Sequence, residues 1–389
     1  MGRKIIAMIL AGIVSVLLVT GCSSQSEDQN VSNAGTTQEQ QAEPEEEMNA
    51  ILPSDARIGI AYTQEEGEFT SLFVAKAKGN LVSAGVPEEN IETAGAADQE
   101  LADIAAGMIA NGCSVLMVGN ADENNAPGIT DAAVKADIPV LYFGTSPGEK
   151  EISRWKDKDW KIAYVGGAFE QSAAKRAELI DSLGLEKADF DEDGEIGIVV
   201  LYTGEGKAGD QVNEETLNNL EELGVSFSIL TDDEEEVYSG TDQDESMDQV
   251  ISWMSDYGKE LDLILCADDS QALGAAKAVN DEKKRVGHDV LIMGFDATAE
   301  SLAEAAAGRI YSTFFNDFMD QSQKASSTVL AFLKGSGADQ GFSMISEYVS
   351  VTVDNAQEIL DIAEKTRESI PEDEDISEEA SDEENEAEE

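Results

Sequence analysis

The sequence predicts an α/β fold built as two lobes, each formed around a parallel sheet. Three observations lead there. From Arg57 onward, short apolar runs alternate with longer amphipathic stretches, which is the pattern of βαβ units. Runs such as Leu261–Cys266 are almost continuously apolar, as strands covered on both faces must be. Ten such runs over roughly 310 residues exceed what one doubly wound domain holds, so the core divides in two.

The elements follow in order. Strand Ile58–Tyr62 leads into helix Phe69–Ala84, strand Ile91–Ala94 into helix Gln99–Asn111, and strand Ser114–Val118 into helix Thr130–Ala136. Strands Val140–Phe143 and Ala163–Gly166 come next, then helix Phe169–Leu183. The second half repeats the scheme: strand Ile196–Tyr202 and helix Asp210–Leu223, strand Ser226–Leu230 and helix Ser246–Asp256, strand Leu261–Cys266 and helix Ser270–Asp281. Strand Val290–Phe295, helix Ala299–Ala307, strand Ile310–Phe314 and helix Asp317–Lys334 complete it. The strand assignments rest on short runs rich in Val, Ile, Leu and aromatic residues. The helix assignments rest on apolar residues three and four apart. In such a fold, ligands bind at the carboxyl ends of the strands, between the lobes.

Composition bounds the partners. The 389 residues carry 81 acids against 25 Lys and Arg, a formal net charge of −56. That excludes nucleic acid, whose phosphates require Lys and Arg, and docking on anionic lipid. With 41% hydrophobic residues a packed core is still expected. Residues 23–50 hold seven acids and residues 372–389 twelve, with no Lys or Arg in either stretch. They read as an acidic linker and, from 367 to 389, a disordered acidic tail.

The chain begins with Arg3 and Lys4, then an apolar run from Ile5 to Val19. This predicts a signal peptide over residues 1–21. Val19-Thr20-Gly21-Cys22 resembles a bacterial lipobox, which implies cleavage before Cys22 and a lipid on Cys22. The alternative is an ordinary signal peptide or an uncleaved anchor. A lipidated Cys22 tethers the protein to the cell membrane outside the cytoplasm, with residues 22–54 as linker. Cys113 and Cys266 both sit against apolar runs and are expected as buried free thiols rather than a disulfide.

One acidic segment has metal-ligand spacing. Asp189, Asp191 and Asp193 occupy positions 1, 3 and 5 of a calcium loop, with Gly194 at position 6. The backbone carbonyl of Glu195 takes position 7. Position 12, a bidentate Glu in an EF-hand, is Val200 in a predicted strand, so this is no helix–loop–helix. The alternative is a solvated acidic turn.

Arg57-Ile-Gly-Ile-Ala-Tyr, Asn111-Gly-Cys-Ser-Val-Leu-Met-Val, Ala136-Asp-Ile-Pro-Val-Leu-Tyr-Phe, Ala163-Tyr-Val-Gly, Gly294-Phe-Asp-Ala and Gly308-Arg-Ile-Tyr-Ser-Thr occur in that order. Together they resemble type I periplasmic binding proteins, above all the galactose/glucose-binding proteins of ABC transport and chemotaxis. The resemblance covers about residues 55–366. It implies two Rossmann-like lobes with parallel sheets joined by a three-strand hinge. Lobe one would be 55–143 and 318–347, and lobe two 144–316 and 349–366. It also implies that Asp262 closes a structural calcium site with Asp189, Asp191, Asp193 and Glu195. Gly197 departs from the family, which has a side-chain oxygen donor there.

The same resemblance implies a sugar site. Phe69 matches a stacking aromatic, and Asp210, Asp296 and Asn316 match sugar-binding residues. Asp268 stands where the family has Asn. Gly119 replaces the lobe-one Asn, and Asn120 beside it is the ligand-binding candidate there. Gly67 replaces a polar residue, Ala208 and Glu214 replace a His and an Arg, and Tyr238 or a neighbour stands in for a Trp. The implied function is an extracytoplasmic, monomeric solute-binding lipoprotein that delivers a galactose- or glucose-like monosaccharide to an ABC permease. The alternatives are a ligand-presenting sensor for a chemoreceptor or membrane kinase, and a binder of a nucleoside or other small polar ligand. No enzyme is expected: the single His, His288, lies in a basic loop, and no Ser-His-Asp or Cys-His set is evident.

Overall fold

A computed structural model describes residues 51–63, 68–96, 100–204, 208–231, 242–337 and 342–370. The expected signal peptide, Cys22, the linker through residue 50, Gly67, Tyr238 and the tail from 371 lie outside these residues. The elements run β1 (Ile58–Thr63), α1 (Phe69–Ser83), β2 (Ile91–Ala96), α2 (Leu101–Ala110), β3 (Val115–Gly119), α3 (Ala126–Lys135), β4 (Val140–Phe143), α4 (Glu149–Lys158) and β5 (Ile162–Gly167). Then come α5 (Phe169–Leu183), α6 (Leu185–Ala188), β6 (Ile196–Leu201), α7 (Ala208–Leu223), β7 (Phe227–Ile229), α8 (Gln243–Asp256), β8 (Leu263–Cys266), α9 (Asp269–Asp281) and β9 (Leu291–Met293). The last are α10 (Ala299–Ala306), β10 (Thr313–Phe315), α11 (Phe318–Leu333), β11 (Ser343–Ser346), β12 (Val349–Val351) and α12 (Ala356–Arg367).

Lobe one is a parallel six-stranded sheet in the order β11-β5-β4-β3-β1-β2. Its strands are apolar throughout because both faces are covered. Along β3, Val115 and Met117 join Phe73, Leu81 and Phe332 on one side. Leu116 and Val118 join Leu101, Met108 and Ile129 on the other. Lobe two is a parallel sheet in the order β7-β6-β8-β9. It extends through a parallel bridge from Met293 to Ser312 toward β10, which pairs antiparallel with β12. Here Ile198, Val200, Leu263 and Leu265 face one core, and Val199, Leu201, Ile264 and Cys266 face the other. The ten expected strands are all present.

The lobe boundary lies later than expected. β5 pairs with β4 and β11 in the first sheet, so residues 144–167 belong to lobe one, not lobe two. Elements α4, α6, β11, β12 and α12 were not expected. Seven of the ten α4 residues are charged, which leaves no apolar stripe to read. The helix is held instead by buried Trp155, which stacks on Tyr142 at 5.2 Å and donates its indole N–H to Glu151 at 2.8 Å. β11 is an edge strand buried only at alternate residues.

Three crossings join the lobes: Gly167 to Phe169, Phe315 to Phe318, and Ser346 to Val349. The chain leaves β5, β10 and β11 at their carboxyl ends. Since β5 and β11 run parallel with lobe one's strands, and Ser312 before β10 with β9, the carboxyl ends of both sheets face the boundary between the lobes. Cys113 and Cys266 are free thiols in separate lobes. Cys266 is buried as expected, whereas Cys113, at the turn before β3, is only half-buried.

Candidate functional site

The lobe-one strand ends are stitched together by their own side chains. Asn120, in the left-handed region at φ 59°, is buried just after β3. Its amide donates to the Thr63 carbonyl at 2.7 Å and to Thr70 Oγ1 at 3.1 Å, and its Oδ1 accepts from the Thr145 N–H at 3.2 Å. Asn120 therefore ties the loops after β1, β3 and β4 to one another. Both of its N–H groups are spent on the protein, so it does not offer them to a ligand as expected. Beside it, Gly119 has no room for a side chain: a Cβ there would lie 2.4 Å from the Phe143 ring. Phe143 stacks at 4.3 Å on Phe73. Phe69 opens α1, half-buried, with its ring 6.0 Å from that of Phe73.

The lobe-two strand ends carry the charge. Asp210 is buried in the first turn of α7 and accepts from the Thr203 N–H at 2.6 Å, Thr203 Oγ1 at 3.0 Å and the Gly204 N–H at 2.9 Å. It closes the loop after β6. Asp268 caps α9, accepting from the Gln271 N–H at 2.8 Å. Asp296 follows β9 at φ 107°, a conformation rare outside Gly. Its side chain is exposed, and among the described residues none donates a hydrogen bond to it. Protein nevertheless crowds it. The crowding, reinforced by Asp269 and then Asp268, raises its carboxyl well above the usual range against the pull of Arg176.

Two residues here escaped the sequence reading. Asp269 is fully buried and accepts from the Thr298 N–H at 2.7 Å, from Thr313 Oγ1 at 2.7 Å and from the Ser301 hydroxyl. Burial outweighs these donors and raises its carboxyl to about 6. Arg176 is fully buried on α5. It donates to Asn213 Oδ1 at 2.5 Å and to the carbonyls of Cys266 and Gly294 at 3.3 and 3.2 Å. Its guanidinium lies 5.7 and 5.6 Å from the rings of Phe295 and Phe314. Burial lowers its pKa to about 10, and it stays charged at neutral pH. A sequence signal existed: Arg176 shares a helical face with Ser172, Ala173, Ala177 and Ile180, all buried.

The three crossings lie side by side. A Cβ on Gly167 would fall 2.6 Å from Asn316 Oδ1 and 3.0 Å from the Tyr348 ring. Asn316 sits on the second crossing, as expected, and accepts from the Gln321 amide at 2.6 Å. Tyr348, on the third, stacks on Phe295 at 5.5 Å, and Phe169 stands edge-on to both.

The expected calcium loop lies at the opposite end of lobe two, before β6. Carboxylate oxygens of Asp189, Asp191 and Asp193 all come within 4.8 Å of one another. The loop is shaped by its own amides: Asp189 accepts from the N–H groups of Glu192 at 2.7 Å and Gly194 at 2.9 Å, and Asp193 from that of Glu195 at 3.0 Å. Asp262 is not in that cluster. Its carboxylate accepts from the N–H groups of Phe190 at 2.8 Å and Gly197 at 2.9 Å, clamping both ends of the loop to β8. Gly197 is explained by packing: a Cβ there would fall 1.8 Å from the Glu260 carbonyl oxygen.

A family model described as a periplasmic binding protein domain matches residues 58–337. The D-galactose/methyl-galactoside binding periplasmic protein MglB of Haemophilus influenzae is 26% identical over 331 residues, covering 80% of this chain and 94% of that protein. Among solved structures, a sugar-binding protein of a sugar ABC transporter from Bacillus halodurans superposes with a TM-score of 0.61 at 15% identity, covering 78% of this chain and 99% of that one. A periplasmic ribose ABC transporter protein from Conexibacter woesei gives 0.59 at 18% identity, covering 79% and 95%. These likenesses agree with the two-lobe α/β fold and its three crossings. The chain belongs to the periplasmic binding protein family, with the type I architecture.

Proposed function

We propose that this chain is the extracytoplasmic solute-binding lipoprotein of an ABC importer, which takes a galactose- or glucose-like monosaccharide between its lobes and passes it to a membrane permease. Family membership and the galactoside-binding relative support the reading. The observation that carries it is the convergence of both sheets' carboxyl ends on a boundary crossed three times by adjacent segments. A ligand touched from both sides there stabilises the closed arrangement by its contacts with both lobes. The protein binds and releases without chemistry. It works as a monomer, tethered through lipid on Cys22. The test is calorimetry with D-galactose, D-glucose, D-ribose, L-arabinose and myo-inositol. One should bind at 1:1 stoichiometry and be recovered unaltered; no binding by any, or turnover of one, overturns the reading.

The same reading includes a structural calcium at Asp189, Asp191 and Asp193, with the Glu195 carbonyl completing the turn and Asp262 bracing it from β8. The donor set fits: hard carboxylate oxygens gather on a tight loop shaped by backbone amides. A bound ion would cancel the repulsion among the three carboxylates and cross-link the loop.

A further inference from the structure

This inference rests on ligand binding between the lobes and concerns the ligand's charge. The carboxylates at the lobe-two strand ends are unequally compensated. Asp210 takes three donors from Thr203 and Gly204. Asp269 takes three from Thr298, Thr313 and Ser301. Asp268 caps α9, so the positive end of that helix faces it. Asp296 receives no hydrogen bond from any described residue, although it stands open at the carboxyl end of the sheet. The cation behind it, Arg176, spends its N–H groups on Asn213, Cys266 and Gly294, and its charge is divided between Asp269 and Asp296.

We propose that the ligand carries a protonated amine that seats on the Asp296 carboxylate beside Asp268: an amino sugar or amino-cyclitol in preference to its neutral parent. Closure of the lobes removes water from Asp296, and a desolvated carboxylate with no hydrogen-bond donor and only a shared cation is strongly unfavourable. Sugar hydroxyls would fill its lone pairs and leave the charge. An ammonium supplies three N–H donors and the opposite charge together, in a setting that strengthens both.

Calorimetry with the full-length protein on matched pairs tests this. The pairs are D-galactose and D-galactosamine, D-glucose and D-glucosamine, and myo-inositol and an amino-deoxyinositol. The expected result is at least tenfold tighter binding of the amine in one pair and loss of the gain on N-acetylation. A neutral member that equals or beats its amine in every pair that binds overturns the amine proposal and leaves the sugar-binding reading intact. No binding by any member overturns the amine proposal, and overturns the sugar-binding reading as well where D-ribose and L-arabinose also fail to bind. Asp296→Asn should cut the preference below threefold with the melting temperature retained, and a preference that survives it overturns the seat. Asp268→Asn gives a second check, expected to reduce the preference by a smaller factor.

Discussion

The two ends of the lobe-two sheet both gather aspartates, and they use them differently. At the amino ends of the strands, Asp189, Asp191 and Asp193 fold a short loop over backbone amides, with Asp191 half-buried and Asp193 facing water. At the carboxyl ends, Asp269 and Asp296 share a buried guanidinium with Asp268 beside them, and the three are sorted into satisfied and unsatisfied members. The first set is organised around a common centre, which suits an ion. The second is organised around one open carboxylate, which suits a ligand that supplies what the protein withholds. Residue type alone does not separate the two; the fate of each oxygen does.

The largest effect that would break this comparison is at Arg176. Arg176→Met leaves Asn213 Oδ1 and two strand-end carbonyls without their donor and removes the charge that balances Asp269 and Asp296. It should cost about 3–5 kcal/mol in urea unfolding, and an unchanged midpoint would show that the carboxyl end does not depend on its buried cation. The amino end is tested by chelation. EDTA should lower stability by about 2.7 kcal/mol relative to calcium at a hundredfold its Kd, with Asp191→Asn/Asp193→Asn insensitive to either. Identical melts for the wild type in both conditions would remove the ion from the comparison.

Next in size is Asp269→Asn, expected to cost about 1–3 kcal/mol because an amide cannot accept all three donors. Its pH signature has a definite sign. The native pKa of about 6 lies above the ordinary 3.8, so the native state holds this proton more tightly than the unfolded chain. The stabilising contribution is complete below about pH 4 and is lost as pH rises through 6. Unfolding midpoints between pH 4 and 7 should fall less steeply in Asp269→Asn than in the wild type. The smallest effect is at the exposed ion pair between Glu68 at the head of α1 and Arg367 at the end of α12, whose Nε donates to Glu68 at 3.0 Å. Glu68→Ala should cost about 0.2–1 kcal/mol, screened by salt.

Most of the fold was legible because buried parallel strands announce themselves as apolar runs. β11 and α4 were not, because an edge strand buries only alternate residues and a charged helix can be held by one Trp. The site was half legible. Spacing and resemblance brought out Asp189, Asp191, Asp193, Asp210, Asp268, Asp296 and Asn316. They did not show that Asn120 would spend its amide on neighbouring loops, or that Asp262 would clamp backbone, because hydrogen-bond partners depend on segments distant in sequence. Gly119 and Gly197 are departures from the family that only packing explains: an aromatic ring and a carbonyl occupy the space a side chain would need.

The place of β11 has a consequence for biosynthesis. It completes the edge of lobe one beside β5, yet it comes from Ser343–Ser346 of a 389-residue chain. Lobe one cannot complete its sheet until Ser343–Ser346 has been made, and that pairing spans about 180 residues of sequence, which slows folding.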